Sequence, residues 1–162
     1  MENLYVCGRF ELPHLNLGRF THMISVQNSD LGVTEARPEH ITSDKHLVLR
    51  FSDVTDPSHD DAPNTKELEK LFEWLADQER IESLLIHCSA GLRRSPAVAL
   101  FCVEYLTKTP FPDSLKFVEK HSSNRYIWPN ELVVNLCDKL RNCGKDAIKA
   151  VENWKESHTE PI

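Results

Sequence analysis

The sequence predicts an α/β fold in which a central, mostly parallel sheet of about four to five strands is flanked by helices. Short segments rich in apolar and β-branched residues alternate with helical patterns over the first two thirds of the chain, as in strands joined by crossover helices. The last third carries helical patterns alone. The segment 83–87 (SLLIH) is apolar almost throughout, which is typical of a parallel strand covered on both faces.

Three further segments, 4–7, 22–26 and 46–51, have the composition of strands, and each is followed by turn-forming residues. The composition then changes over 52–64 to Asp, Pro, Ser and His, which favours a surface loop directly after the third strand. We therefore expect polar side chains to lie at the end of that strand.

Four helices are predicted in the remainder, each from its spacing of apolar residues and its start signals. Pro63 and Asn64 open the first, whose apolar residues recur at helical spacing. Ser95 and Pro96 suit the N-cap and first position of the second, a deeply buried helix through residues 98–105. Two more begin at 112–113 and 129–130, and the latter is predicted to stop at Gly144.

A further, partly exposed helix is expected after Gly144, so that the C-terminal helices lie within 112–157. The chain has 162 residues, and no repeat or flexible linker divides it. We therefore expect a single domain spanning residues 1–162.

Composition excludes several classes of function. The sequence has no apolar run of membrane-spanning length and does not begin with a secretory signal pattern, so we expect a cytoplasmic protein. The net charge of −6 gives no general attraction to nucleic acid or to an anionic membrane, and neither is expected as a partner. The sequence does not indicate the oligomeric state, and a monomer is the default. The five cysteines, an odd number without metal-ligand spacing, indicate reduced thiols and no metal site.

The segment His87–Ser95 (HCSAGLRRS), between a predicted strand and a predicted helix, carries the chemistry. A tight loop at a helix N-terminus directs its backbone N–H groups inward, where they bind a phosphate dianion. The same groups, together with Arg94, favour a thiolate at Cys88. Gly91 supplies the backbone freedom that such a loop needs.

Three neighbours of the cysteine have predicted roles in this loop. Arg94 has the planar pair of donors that matches two phosphoryl oxygens. Ser95 can donate its hydroxyl to the sulfur when the sulfur leaves, or it can be a simple helix cap. His87 is expected to order the loop through hydrogen bonds rather than to transfer protons.

This loop resembles the signature of the protein tyrosine phosphatase superfamily, and its place between strand and helix resembles the small dual-specificity branch. Residues 4–26, the pair Pro129-Asn130 and the helix predicted after that pair are similar to small bacterial or phage-type members. The resemblance implies a dual-specificity-phosphatase-like fold, Cys88 as the nucleophile, and Arg94 as the residue that binds the transition state. The phosphate-binding residues it implies are Ser89, Ala90, Gly91, Leu92, Arg93 and Arg94.

The reaction also needs an acid that protonates the leaving group. In similar enzymes this is an aspartate just past the third strand, which favours Asp53, with Asp56 as the second choice and Asp60 or Asp61 as weaker ones. Each could also be a turn-forming or solvated aspartate. The tryptophan-proline-aspartate form of this loop is absent, so similarity to the large receptor-like class is not supported.

The leading hypothesis is a phosphatase acting on phosphotyrosine, and also on phosphoserine or phosphothreonine if its pocket is shallow, with no metal or cofactor. The neutral loop residues Ser89, Ala90 and Leu92 favour phosphorylated protein over inositol lipid. The alternatives are a catalytically weak phosphate-binding module, a phosphatase of a phosphoinositide or RNA 5′-phosphate, and sulfur transfer or arsenate reduction.

Two weaker patterns were interpreted conservatively. Cys102 and Cys7 could pair with an oxidised Cys88, but a structural role in the core is favoured for both. The segment 124–126 (NRY) resembles part of a phosphotyrosine-recognition motif of larger phosphatases, which carry it upstream of the catalytic loop. Here it lies downstream, and we interpret the match as coincidence.

Overall fold

A computed structural model of the protein describes residues 1, 3–31 and 37–161. These residues form four strands: β1 (Asn3–Gly8), β2 (His22–Gln27), β3 (His46–Arg50) and β4 (Ser83–Cys88). They also form five α-helices: α1 (Thr65–Asp77), α2 (Arg94–Thr107), α3 (Phe111–Lys120), α4 (Glu131–Leu140) and α5 (Asp146–Glu156). Within the described ranges, no helix is both long enough and apolar enough to cross a membrane.

The four strands form one sheet in the order β1-β4-β2-β3, and every neighbouring pair is parallel. The predicted α/β class with a parallel sheet flanked by helices is therefore confirmed. Because the strands are parallel, their carboxyl ends meet at one edge, where ligands of such folds bind. Cys88, the last residue of β4, lies at this edge beside Gly8 of β1.

The α-helices cover one face of the sheet, while shorter elements cover the other. Leu84 and Ile86 point into the large apolar core that the helices share, whereas Leu85 points into a smaller core on the opposite face. That second face is closed by 3-10 helices, chiefly Arg9–His14. Both faces of β4 are therefore buried, which explains its nearly continuous apolar sequence.

The start of α2 differs from the prediction. The helix begins at Arg94 with Arg93 as its N-cap, so Ser95 does not cap the helix and Pro96 is not its first residue. The carbonyl of Arg93 accepts the first helical hydrogen bond, from the N–H of Ala97 at 3.3 Å. The Ser95 hydroxyl instead faces the sulfur of Cys88. The helix therefore starts inside the loop and places its N-terminal N–H groups closer to the cysteine.

The end of α4 also differs from the prediction. The helix ends at Leu140, and Gly144 lies in the turn that leads into α5, with a φ of +62°. The buried carboxylate of Asp138 accepts hydrogen bonds from the N–H groups of Lys145 (2.9 Å), Ala147 (3.0 Å) and Ile148 (3.3 Å). One side chain of α4 thus holds the start of α5, which has no side-chain cap of its own.

Candidate active site

The loop between β4 and α2 is a bowl whose carbonyl groups point outward. The carbonyl of Ser89 accepts from the N–H of Arg9 (3.2 Å), and that of Leu92 accepts from the N–H of Trp128 (2.8 Å). The Ala90 carbonyl accepts from the side chain of Asn124 at 2.9 Å. Because the surroundings engage these carbonyls, the N–H groups of the loop are turned toward its centre, as an anion-binding nest requires.

The sulfur of Cys88 lies at the base of this bowl, and its residue is only 3% exposed. The N–H of Gly91 donates to the sulfur at 3.2 Å, and the Ser95 oxygen lies 3.1 Å from it. Two hydrogen-bonding groups therefore converge on one sulfur next to a helix N-terminus.

Arg94 is buried and spans from the loop to two neighbouring strand ends. Its Nη1 donates to the Asn28 side chain (2.6 Å) and to the carbonyl of Phe51 (2.8 Å), while Nη2 donates to the Ser89 hydroxyl (3.0 Å). These bonds fix the plane of the guanidinium. A guanidinium has five N–H groups, so two remain for a phosphoryl group.

Gly91 is required by the close approach of β1 to the loop. Its φ is +74°, and a Cβ placed on it would lie 2.5 Å from the carbonyl carbon of Cys7 and 2.5 Å from the nitrogen of Gly8. A Cβ on Gly8 would in turn lie 2.9 Å from the carbonyl oxygen of Ser89. The end of β1 therefore forms a wall against which the bowl closes.

His87 points to the opposite face of the sheet from Cys88. Its Nε2 lies 2.7 Å from the hydroxyl of Ser25, which lies 2.8 Å from Nε2 of His46. Burial lowers the pKa of His87 to about 4, so the ring is neutral near neutral pH. This buried chain links β4, β2 and β3 directly behind the loop.

Asp53 lies in the loop after β3 and is held by two residues near the bowl. One oxygen accepts from the Asn130 side chain at 2.9 Å, and the other lies 3.8 Å from Nε of Arg93. Asn130 also donates to the carbonyl of Val54 at 3.1 Å and caps α4 through the N–H of Val133. The aspartate is therefore attached both to the loop between β4 and α2 and to a helix start.

The other aspartates of this loop have different surroundings. Asp56 accepts hydrogen bonds from the N–H and hydroxyl of Ser58, and these bonds lower its pKa. A lowered pKa makes a carboxyl less suited to donate a proton. Asp61 accepts from Ser52 (2.6 Å) and from the N–H of Ser29 (3.1 Å), and Asp60 is exposed.

A cleft of about 670 Å³ opens beside the bowl on the side of Asp53. Arg93 lies on its rim, where its Nη1 pairs with Glu160 at 2.9 Å. Trp128 and Lys155 line the same cleft, and the Lys155 ammonium lies 4.9 Å from the centre of the Trp128 ring. The segment after α5 therefore reaches the edge of the loop between β4 and α2.

Sequence reasoning missed several residues that the fold brings to this site. Asn28 and Glu160 were not singled out, and Asn130 was identified only as a helix start. Asn28 and Asn130 lie 66 and 77 positions from the residues they contact. The only available signal was Pro129-Asn130, which resembled a family pattern without indicating a contact to Asp53.

Of the other cysteines, Cys102 and Cys137 are fully buried in the large core, and Cys143 is partly buried against it. Cys7 belongs to the smaller core on the opposite face of the sheet from Cys88. Burial raises the pKa of Cys102 far above its ordinary value and that of Cys7 to about 12, which disfavours their thiolates. Among the described residues, no group of His, Cys, Asp and Glu has the arrangement of a metal site.

Comparison with solved structures gives a consistent result. DUSP15 superposes with a TM-score of 0.62 at 20% identity over 99% of this chain and 96% of its own. PTP-2 phosphatase of Cydia pomonella gives 0.58 at 21% identity over 84% of each chain. The human tyrosine phosphatase-like serine/threonine/tyrosine-interacting protein gives 0.60 at 18% identity, over 88% of this chain and 93% of its own.

Comparison by sequence, in contrast to comparison by structure, finds no match. No protein-family model matches the chain, and no curated protein matches it significantly. At these sequence identities, the structural similarity is evidence about the fold alone. It confirms, for the fold, the resemblance that the loop motif indicated. The chain has the fold of the small dual-specificity phosphatases of the protein tyrosine phosphatase superfamily.

Proposed function

We propose that this protein is a cysteine-dependent protein phosphatase. It hydrolyses the phosphate monoesters of phosphotyrosine residues and also those of phosphoserine and phosphothreonine residues. The observation that carries the proposal is the sulfur of Cys88, 3.2 Å from the N–H of Gly91 and 3.1 Å from the hydroxyl oxygen of Ser95, beneath a bowl of N–H groups. Arg94, fixed on the same loop, supplies the guanidinium that phosphoryl transfer needs.

In the first step, the Cys88 thiolate attacks phosphorus and the bond to the ester oxygen breaks. The leaving oxygen takes a proton from Asp53, and the phosphoryl group becomes bonded to sulfur. The loop N–H groups and Arg94 hold the equatorial oxygens as charge redistributes. In the second step, Asp53 takes a proton from water, the water oxygen attacks phosphorus, and the sulfur leaves as a thiolate that accepts a hydrogen bond from Ser95.

The choice of Asp53 as acid rests on its neighbours. Asn130 and Arg93 hold its carboxylate next to the loop, whereas Asp56 accepts from Ser58 and Asp61 accepts from Ser52 and Ser29, which lie outside the loop. Asp53 is also 35% exposed in its side chain, so it can exchange protons with water. This chemistry uses the chain's own side chains and backbone for each step.

The deciding experiment is a pair of substitutions assayed with para-nitrophenyl phosphate and a phosphotyrosine peptide. We expect Cys88→Ser to abolish turnover, to below about a thousandth of the wild-type kcat, while phosphopeptide binding persists. Asp53→Asn should lower kcat for the phosphotyrosine peptide, whose leaving group needs a proton, much more than for para-nitrophenyl phosphate, whose leaving group does not. Substantial turnover by Cys88→Ser would overturn the proposal.

A wild-type protein that binds phosphate without hydrolysing either substrate would identify a non-catalytic phosphate-binding module instead. One of the similar structures is described as a tyrosine phosphatase-like interacting protein, which makes this outcome a concrete alternative. Assays with thiosulfate and arsenate test the sulfur-transfer and arsenate-reduction alternatives directly.

A further inference from the structure

Two large apolar side chains stand out on the surface of the described residues. Phe10 is 77% exposed and Tyr126 is 62% exposed, and no other large hydrophobic residue in the described ranges is exposed. They are 116 positions apart in the sequence. Exposed aromatic residues that gather at one place commonly mark a binding surface.

Both aromatic residues belong to segments that contact the phosphate-binding loop at successive carbonyls. The N–H of Arg9, beside Phe10, donates to the carbonyl of Ser89 at 3.2 Å. The side chain of Asn124, two residues before Tyr126, donates to the carbonyl of Ala90 at 2.9 Å. The segments that carry Phe10 and Tyr126 therefore contact the same part of the bowl.

The two segments are also joined to each other. A Glu11 carboxylate oxygen accepts from the Ser123 hydroxyl (2.6 Å) and from the N–H of Gly8 (3.0 Å). The N–H of Ser123 donates to the carbonyl of Val6 at 2.8 Å. The aromatic residues are thus carried by one connected wall, which we call the aromatic rim (residues 9–11 and 123–126).

A cleft of about 560 Å³ lies between Tyr126 and the phosphate-binding loop. Leu92 of the loop and Pro161 of the C-terminal segment line it together with Tyr126, and Arg125 is at its edge. The apolar walls suit an aliphatic or aromatic side chain, and the arginine suits an anionic neighbour. This cleft adjoins the cleft that holds Asp53, and Glu160 lines both.

The charge around the bowl distinguishes between possible occupants. The aromatic rim carries two basic residues, Arg9 and Arg125, and one acidic residue, Glu11. The Asp53 cleft has an excess of acidic residues: Asp53, Asp56, Glu131 and Glu160 line it together with two basic residues, Arg93 and Lys155. The chain as a whole has a net charge of −6. A polyanionic strand crossing the bowl would meet the acidic side, whereas a peptide with a single phosphate and apolar neighbours would not.

We propose that the aromatic rim binds apolar side chains next to the phosphorylated residue of a peptide substrate, one in the Tyr126–Leu92 cleft and one against Phe10. This inference rests on the proposed phosphatase function and names the sequence that the site prefers. The phosphoryl group enters the bowl, and the flanking apolar residues supply binding energy that a small aryl phosphate lacks.

The test compares phosphotyrosine peptides that differ only in the residues flanking the phosphotyrosine, leucine or glycine, with para-nitrophenyl phosphate as a third substrate. We expect the wild-type protein to show a kcat/KM about tenfold or more higher for the leucine-flanked peptide. Phe10→Ser and Tyr126→Ser should each reduce this preference by several-fold and together nearly remove it. Lys116→Ser, at an exposed position of α3, is the control and should keep the preference.

The outcomes separate this inference from the function on which it rests. If no phosphoester is hydrolysed, the proposed function fails and the inference with it. If the wild-type protein hydrolyses both peptides equally well, the phosphatase stands and the aromatic rim is not a substrate-binding surface. The same conclusion follows if the Ser variants lose activity on a short 5′-phosphorylated oligouridylate more than on the leucine-flanked peptide, since the rim would then bind nucleic acid. The comparison of flanking residues needs only the wild-type protein, so it holds even if a variant fails to fold.

Discussion

At the scale of single residues, the glycines show how much of the site depends on close packing of backbone. Gly91 and Gly144 both have positive φ, at +74° and +62°. A Cβ on Gly91 would approach the backbone of β1 to 2.5 Å, whereas a Cβ on Gly144 would meet nothing within 4 Å. A side chain at Gly144 therefore adds conformational strain alone, whereas a side chain at Gly91 adds both conformational strain and a steric conflict with β1.

We predict that Gly144→Ala lowers the free energy of unfolding by about 1 kcal/mol, the cost of a left-handed alanine. Gly91→Ala carries the same strain and also forces β1 and the loop apart. We expect it to cost about 3 kcal/mol or more and to lower kcat/KM for para-nitrophenyl phosphate by more than about a hundredfold. Urea unfolding and steady-state kinetics on both variants check this, and equal effects of the two substitutions would contradict the packing argument.

Single residues also mark the limits of sequence reasoning about the site. Cys88, Gly91, Arg94 and Ser95 could be predicted because one short segment carries them, and local spacing decides which groups share a loop. Asn28, which receives a hydrogen bond from Arg94, lies 66 positions away, and no local pattern indicates such a contact. The Ser95 hydroxyl was given two candidate roles, and the geometry places it on the sulfur rather than at a cap.

At the scale of secondary-structure elements, the strands were predicted to within one residue at their ends, because short runs of apolar and β-branched residues bounded by turn formers determine them. The helices were predicted less accurately where their ends depend on tertiary contacts. The carboxylate of Asp138 organises the turn after α4, so that helix ends before Gly144. The segment 124–126, interpreted as a coincidental motif, lies beside the loop because Asn124 bonds to Ala90, a contact that its sequence neighbours do not reveal.

The buried polar chain behind the loop makes the sheet sensitive to acid. Burial lowers the pKa of His87 to about 4 and also lowers the pKa of His46. In the unfolded chain a histidine has a pKa of about 6.5. Between these values the unfolded state binds more protons than the folded state, so the free energy of unfolding falls as the pH falls from about 6.5 towards about 4.

We predict that His87 alone accounts for about 3 kcal/mol of this loss in the free energy of unfolding. The reason is that its pKa is about 4 in the folded protein and about 6.5 in the unfolded chain. The variant His87→Gln can still bond to Ser25 but does not titrate. Its free energy of unfolding should therefore fall less steeply over the same pH window than that of the wild-type protein. The measurement is urea unfolding at a series of pH values, and parallel curves for the two proteins would show that His87 is not buried as a neutral ring.

At the scale of the whole molecule, Asn130 connects three parts of the chain that meet only in the folded state. Its N–H donates to the carbonyl of Arg93 in the loop between β4 and α2 at 3.0 Å. Its side chain donates to Asp53 and to the carbonyl of Val54 and accepts from the N–H of Val133 at the start of α4. The α4 N-terminus thus aligns the loop that carries the proposed acid with the loop that carries the proposed nucleophile.

This arrangement predicts that Asn130→Ser changes catalysis more than stability. Serine still caps α4 through its oxygen, so the free energy of unfolding should fall by only about 1 kcal/mol. Its side chain is too short to hold Asp53, so proton donation should suffer. We expect kcat to fall about tenfold or more for phenyl phosphate, whose leaving group needs a proton, and much less for para-nitrophenyl phosphate, whose leaving group does not.

The matched control is Asn64→Ser, the same change at the N-cap of α1, where the side chain accepts from the N–H of Glu67 at 3.0 Å. It removes an amide from a helix cap that does not contact the site. The ratio of the kcat values for the two substrates should therefore stay at the wild-type value. If Asn130→Ser lowered kcat equally for both substrates, Asn130 would act on the fold of the bowl and not on the acid. If Asn64→Ser shifted the ratio as well, loss of a helix cap would be sufficient to explain the effect, and Asn130 would have no special place between the two loops.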